Sequence, residues 1–350
     1  MRDAIPVLVL GTGQMGCGIA RLVLEKPGLA LAGAWDRRAE LHGLDLGRVI
    51  GIERDLGITV GADLAFVIAE CRPRVAIQAT CSRLDEAAPQ ILTLLQHGVH
   101  VISIAEEMAC PHHSSPKLAR EMDVLARSRG VAVAGTGINP GFVLDRLIIT
   151  LTGVCADIRS ITARRVNDLS PYGPSVMAAQ GVGLSPEAFR EGVADGSVVG
   201  HVGFPESIHL IADAVGWEVE RIEERREPII ARVRRETPRI TVEPGQAAGC
   251  LHTAVAYRDG EAVINLIHPQ QVLPSAEGIE TGDSIEIRGT PDVRLSGSPE
   301  IPGGTGTMAL AVNTIPVILT APPGLHTLTD LPAPAAMLGG ARGLHTEGHP

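Results

Sequence analysis

An α/β fold in two parts is what the sequence predicts: a doubly wound parallel domain first, then an α+β domain with a mixed or antiparallel sheet. Three observations carry this. The first 137 residues alternate apolar runs with amphipathic stretches, the pattern of a parallel sheet covered by helices on both faces. The apolar run from Ile5 ends in Gly11-Thr12-Gly13-Gln14-Met15-Gly16, and the next run, Leu29 to Trp35, ends on Asp36, twenty residues after Gly16. Beyond the Gly- and Pro-rich break from Gly135 to Gly141, the pattern turns to closely spaced strands with few helices. A strand, a Gly-x-Gly-x-x-Gly turn, a helix and a strand closing on an acid form the dinucleotide-binding fingerprint in its required context, a Rossmann domain.

Each glycine of the turn has its own reason. Gly11 permits the tight bend, Gly13 lets the backbone approach a pyrophosphate, and Gly16 lets the helix pack on its strand. The helix runs from Gln14 to about Lys26, and its N-terminal N–H groups and dipole suit an anion. Further strands are expected at Arg74–Thr80, Gly98–Ile104 and Val131–Ala134, with helices at Leu84–His97 and Pro116–Arg129. Ligands of such sheets lie outside the strand C-termini. Thr80 to Ser82 and Ala105 to Glu107 stand there, so both loops should border the cofactor. A helix from Phe142 to Thr152 follows. Strands are then expected at 158–166, 219–225, 229–237, 246–258, 262–268 and 283–289, and helices at 185–195 and 204–215. A last helix, Thr307 to Leu319, has Pro316 near its end or at a kink. It should return to the first domain, which then comprises 1–140 with 303–337. The second domain spans 141–302, and 338–350 reads as a flexible tail.

Composition narrows the function. The chain has 350 residues, 45% of them hydrophobic, so a sizeable core can form. Aromatic residues make up 2% and the net charge is −10, which argues against nucleic acid, a partner that needs basic patches and stacking platforms. No run of 18 apolar residues occurs, so no membrane span is expected. No signal-peptide pattern opens the chain, and none of the six cysteines lies in Cys-x-x-Cys spacing. A cytoplasmic enzyme without a metal is the expectation. His112 and His113, adjacent in a loop, read as surface residues.

Candidate chemistry lies in four places. Glu106 and Glu107 follow a buried strand, and two adjacent acids cannot both point one way. One of them in a partly desolvated cleft would act as a general base or stabilise a cation; charge at the next helix N-terminus is the plainer use. Arg164 and Arg165 suit a carboxylate, since a guanidinium fork pairs two oxygens. Strand alternation sends them to opposite faces, and a structural ion pair is the alternative. Asn167 closes that strand, and His268 closes another. Thr305, in the Pro302 to Gly306 turn, contacts a ligand or simply caps its helix. Asp36 favours the free 2′-hydroxyl of NAD, whereas Arg37 and Arg38 can hold the 2′-phosphate of NADP; both signals are present, so use of either cofactor is expected.

Longer motifs go further. Val101 to Ala109, Gly135 to Val143, Ala163 to Pro171, Gln180 to Leu184, Gly200 to Glu206, His268 to Gln271 and Asp330 to Pro334 resemble the 2,4-diaminopentanoate dehydrogenases and their relatives, the native amine dehydrogenases, from about Val7 to Met337. The N-terminal half alone looks like dihydrodipicolinate reductase. The resemblance implies NAD(P)-dependent oxidative deamination: the amine at C4 of 2,4-diaminopentanoate becomes a ketone and ammonia leaves. It places the family's glutamate pair on Glu106 and Glu107, with Glu106 favoured as the group acting on the amine, iminium or water. It places the carboxylate-binding arginine within Arg164-Arg165, and it lines the substrate pocket with Asn167, His268 and Thr305. It also implies a homodimer joined through the sheet of the second domain. Both arginines favour an amino-acid substrate over a simple amine. An imine reductase on the same scaffold is an alternative, weakened by the lack of a lysine or paired histidines at the substrate-side strand end. A dinucleotide sensor without turnover is another.

Overall fold

A computed structural model describes residues 4–340 and divides them into two units: one takes in the chain up to Phe142 and again from Gly303, and the other is Val143–Pro302. The residues beyond 340, with most of the tail expected to be flexible, lie outside the described residues.

In the first unit β1 (Ile5–Leu10) leads through the glycine turn to α1 (Gln14–Glu25) and β2 (Leu29–Trp35). Then come α2 (Leu46–Val49), β3 (Val60–Gly61), α3 (Leu64–Cys71), β4 (Val75–Gln78), α4 (Leu84–Gln96), β5 (His100–Ser103), α5 (Pro111–Ser114), α6 (Pro116–Arg129) and β6 (Ala132–Gly135). Alternation of side chains across the pleat explains why β1 is apolar throughout. Val7 and Val9 face the layer of Ile19, Val23, Ala311 and Ile315, whereas Leu8 and Leu10 face that of Leu84, Ile91, Leu94 and Met122. Both faces are dry, so no strand position can be polar without a partner inside.

The second unit begins with α7 (Arg146–Thr152), whose N-terminus is set by the Asp145 carboxylate accepting from the Arg146 N–H at 2.5 Å. The helix therefore starts four residues later than the apolar pattern suggests. Next are β7 (Asp157–Asp168), α8 (Pro174–Ala179), α9 (Pro186–Asp195), α10 (Phe204–Val215), β8 (Arg221–Ile230), β9 (Arg235–Glu236), β10 (Thr241–Val242), β11 (Ala247–Arg258), β12 (Glu261–Gln271), β13 (Gly282–Thr290) and β14 (Val293–Gly297). Six strands form one sheet in the order β14-β13-β7-β12-β11-β8, with β12 and β7 parallel and the other neighbours antiparallel. It is the mixed sheet expected of an α+β unit. One face carries Ala163, Arg165, Asn167, Leu266, His268, His252 and Ala254, all buried, and Phe204 at the start of α10 packs its ring on His252. On the other face Arg164 is exposed and Thr162, Thr253, Asn265 and Tyr257 are half-buried.

The expected strand over 229–237 is corrected. The chain runs in β8 from Arg221 to Ile230 and then leaves the sheet, because Arg235 is buried and its guanidinium donates to Glu277 (2.7 Å), Gln271 Oε1 (2.9 Å) and the Val272 carbonyl (2.6 Å). That charge cannot lie in a plain ladder without stranding its donors.

The chain then re-enters the first unit as α11 (Gly303–Asn313), α12 (Ile315–Thr320) and β15 (Gly324–His326). The single helix expected from Thr307 to Leu319 is two, divided at Thr314. Pro316 lacks an N–H and fits the opening turn of α12, where no donor is required. α11 lies so close to α1 that a side chain at Gly18 would strike Met308. β15 pairs with β6, and the completed parallel sheet, among the described residues, reads β15-β6-β5-β4-β1-β2-β3. No helix among the described residues is long and apolar enough to cross a membrane.

Candidate active site

The glycine turn sits at the C-terminal end of β1. Gly11 has φ +86°, and a methyl there would lie 2.6 Å from the Ala79 carbonyl oxygen. A methyl on Gly16 would overlap the Gly11 carbonyl. Packing therefore forces both residues. Gly13 is different: it is exposed, its φ is −73°, and a side chain there would meet nothing. Nothing among the described residues requires a glycine at Gly13, so its bare backbone leaves room for an incoming group. Gly13 is also the N-cap of α1 and offers no side chain to the first-turn N–H groups of Gln14 and Met15. Open donors, a helix dipole and an absent Cβ fit a pyrophosphate.

Asp36, at the end of β2, is buried. Its Oδ2 accepts from the Thr12 N–H (2.6 Å), the Thr12 hydroxyl (2.7 Å) and Arg38 Nη2 (2.9 Å), and its Oδ1 accepts from the Arg38 N–H (2.9 Å) and Nε (3.0 Å). Burial opposes its charge, but the bonds from Arg38 and Thr12 win and hold its pKa far below the carboxylate range. With both oxygens so engaged, Asp36 ties β2 to the glycine turn and fixes the guanidinium of Arg38 beside it. Arg37 is exposed and lies 3.5 Å from Glu86.

At the ends of β4 and β5 the two expected loops meet. The Glu107 N–H donates to the Ser82 carbonyl (3.3 Å), and Glu107 Oε2 accepts from the Leu84 N–H (2.7 Å) at the start of α4. Glu107 thus supplies the cap that Arg83 does not give this helix. Glu106 precedes it on the same turn and is half-buried. Thr80 turns its hydroxyl inward, donating to Gln90 Oε1 at 2.7 Å.

In the second unit β7 sends its two arginines to opposite faces, as strand geometry requires. Arg165 is buried, donating to Asp283 Oδ1 (2.7 Å) and the Ile301 carbonyl (2.5 Å), so two of its five N–H donors are engaged. Asn167 and His268 lie on the same face, His268 Nε2 donating to Asn167 Oδ1 at 3.1 Å. Burial, then the neighbouring His201, Arg165 and His252, push the pKa of His268 well down, which leaves it a neutral donor. The His201 ring stands edge-on to His268, with centroids 5.0 Å apart. His252 accepts the His201 N–H at Nδ1 (2.9 Å) and donates from Nε2 to Glu224 (2.9 Å), so its tautomer is fixed. The Arg165 guanidinium and the Asn167 amide on one buried face carry donors that suit a carboxylate, while the one N–H of neutral His268 is given to Asn167.

Thr305 is exposed in the first turn of α11, so it is not the helix cap that its sequence position allows; the neighbouring Thr307 anchors this turn by accepting the Ile138 N–H at 3.1 Å.

The family model described as the 2,4-diaminopentanoate dehydrogenase C-terminal domain matches residues 142–347, and that of the dihydrodipicolinate reductase N-terminus matches residues 5–104. The chain is 43% identical to the 2,4-diaminopentanoate dehydrogenase of Acetoanaerobium sticklandii, over 99% of this chain and 98% of that one. The chain belongs to the 2,4-diaminopentanoate dehydrogenase family. It is also 25% identical to an amine dehydrogenase of Streptomyces virginiae, over 94% of this chain and 96% of that one. The solved amine dehydrogenase of Mycobacterium smegmatis superposes with a TM-score of 0.84 at 28% identity, covering 95% and 98% of the two chains.

For a member of this dehydrogenase family, the first unit gathers Gly11 to Gly16, Asp36, Arg38, Thr80, Ser82, Glu106 and Glu107 along one edge of its sheet. The second gathers Arg165, Asn167 and His268 on one face and leaves Arg164 on the other. Sequence reasoning passed over Gln78, His201 and His252. The first is a lone polar residue in an apolar run; the two histidines carry no spacing signal, since their partners are tens of residues away.

Proposed function

We propose that the chain catalyses the oxidative deamination of 2,4-diaminopentanoate at C4 with NAD or NADP, giving 2-amino-4-oxopentanoate and ammonia. The observation that carries this reading is the match to the Acetoanaerobium enzyme over the full length of both chains. The glycine turn, Gly11 to Gly16, would hold a nicotinamide cofactor, which would supply the hydride acceptor. In balance, the substrate ammonium, water and the oxidised cofactor give ketone, ammonium ion, reduced cofactor and one proton.

Glu106 is the residue assigned to proton movement. Its carboxylate takes a proton from the substrate ammonium, so that the nitrogen lone pair can assist loss of the C4 hydride. Once that proton has passed to solvent, the restored carboxylate stabilises the iminium cation and then receives a proton from the adding water. Arg165 and Asn167 receive the substrate carboxylate, and His268 orients the Asn167 amide through its Nε2–H. Arg38, held against Asp36, is the cation for a 2′-phosphate, and in the absence of that phosphate the Asp36–Arg38 pair is already neutral, which supports use of both cofactors. The half-exposed face of the second sheet is the surface assigned to a homodimer; a monomer mass by analytical ultracentrifugation at micromolar concentration would refute it.

The test is formation of NADH and NADPH with 2,4-diaminopentanoate, ornithine, simple amines and alcohols. Turnover of the diamino acid above the others is expected. Arg165→Met should raise its KM by roughly 10²-fold, the loss of a charge-assisted pair, and leave any simple amine little changed. Turnover of simple amines alone would instead favour the reading suggested by the amine dehydrogenase relatives.

A further inference from the structure

β4 is apolar except for its last residue, Gln78, which is wholly buried between β1 and β5. A primary amide in such a place costs several kcal/mol unless each atom is bonded. Here each is. Ser103 donates its hydroxyl proton to Gln78 Oε1 (2.5 Å) and accepts the Ala105 N–H (3.1 Å). Gln78 Nε2 donates to Thr80 Oγ1 (2.7 Å), which passes its own proton to Gln90 Oε1 (2.7 Å). These contacts join Ser103, Gln78, Thr80 and Gln90 in one continuous chain of bonds. It runs from Gln90 in α4 through Thr80 in the loop after β4 to the N–H of Ala105, immediately before Glu106.

We infer that Gln78 is a positioning residue for catalysis, fixing the turn that carries Glu106 against the loop at Thr80. The inference rests on the deamination reading for what Glu106 does, and not for the coupling itself. Glu107 ties the same two loops at Ser82 and Leu84, so the turn is pinned on two sides. A general base displaced by an ångström loses much of its rate, and the 3-10 turn that carries Glu106 is only four residues long, Glu106–Ala109.

Two variants of the full chain test this. Gln78→Leu removes the amide at similar volume, and Ser103→Ala removes only the hydroxyl. Hydrogen exchange of the Ala105–Ala109 segment, read by mass spectrometry, needs no substrate; kcat and its pH profile at saturating substrate read the catalytic effect. Expected for Gln78→Leu are exchange faster by about 5-fold or more in that segment, kcat lower by about 10-fold with a displaced acid limb, and a cofactor Kd within about threefold. Ser103→Ala should move in the same direction by less, and it decides the matter if Gln78→Leu does not fold. Unchanged exchange in the folded variant overturns the inference whatever the activity. Faster exchange with unaltered kcat and pH profile also overturns it, leaving Gln78 a structural residue. A wild type that deaminates no amine, with exchange rising as stated, would count against the deamination reading and leave the coupling standing.

Discussion

Glu106 and Glu107 are adjacent in sequence and do different work. Glu107 is spent on the Leu84 N–H and stands 3.9 Å from Arg83, so its charge serves the local structure. Glu106 is the acid that the proposed deamination assigns to the amine. Glu106→Gln keeps the size and removes the charge, and kcat should fall by about 10² or more at unchanged cofactor affinity, measured by steady-state kinetics and cofactor titration. An equal or larger loss in Glu107→Gln alone would reverse the assignment. The arginine pair follows the same logic. Alternation alone puts Arg165, two residues before Asn167, on the face of Asn167 and Arg164 on the other; that this face is the buried one, with Asp283 and Ile301 more than a hundred residues further along as partners, is invisible to any local pattern.

At the scale of elements, α4 shows how tertiary contacts complete local signals. Its first turn has Asp85 and Glu86 but no cap from Arg83; the cap arrives from Glu107. Glu107→Ala should therefore lower stability by about 0.5–2 kcal/mol, read as a denaturant midpoint, and an unchanged midpoint would show that the bond contributes nothing. The elements legible in the sequence were those with strong period and punctuation: α6 ends on Gly130 at φ +68°, and β2 ends on Asp36 as its fingerprint requires. Those that escaped were short or held from afar. β15 is three residues in a Pro-rich stretch and exists only because β6 offers an edge. β14 has exposed side chains along most of its length, so it carries no hydrophobic alternation. Gln78 was within a recognised strand, yet its purpose appears only once Ser103 and Thr80 stand beside it.

For the whole molecule, buried neutral histidines set the response to acid. Burial, with Arg74 nearby, lowers the pKa of His100 to about 4, and His201, His252 and His268 are lowered chiefly by burial. His100 Nδ1 accepts the Ala132 N–H, a bond that a proton would break. Below the unfolded value of about 6.5 the unfolded chain takes up protons that the folded chain refuses. Stability is thus complete above that pH and declines as pH falls towards 4, by up to about 1.4 kcal/mol per pH unit for each such group. Melting temperatures at pH 7.5 and pH 5 should show the drop, and His100→Gln should narrow it. A melting temperature that holds or rises at pH 5 would contradict this account.

The first unit is assembled from both ends of the chain, with Val143–Pro302 emerging between them. On the ribosome, β1 to β6 are therefore made long before α11, α12 and β15 exist to cover one face of their sheet. At roughly 5–20 residues per second, the 160 intervening residues delay that cover by about 8–30 s. During that interval Val9, Ala132 and Ala134 lack the partners Ala311, Ile315 and Ile318 that later close over them. Val143–Pro302, contiguous in sequence, has every strand of its own sheet made before the cover of the first unit is synthesised.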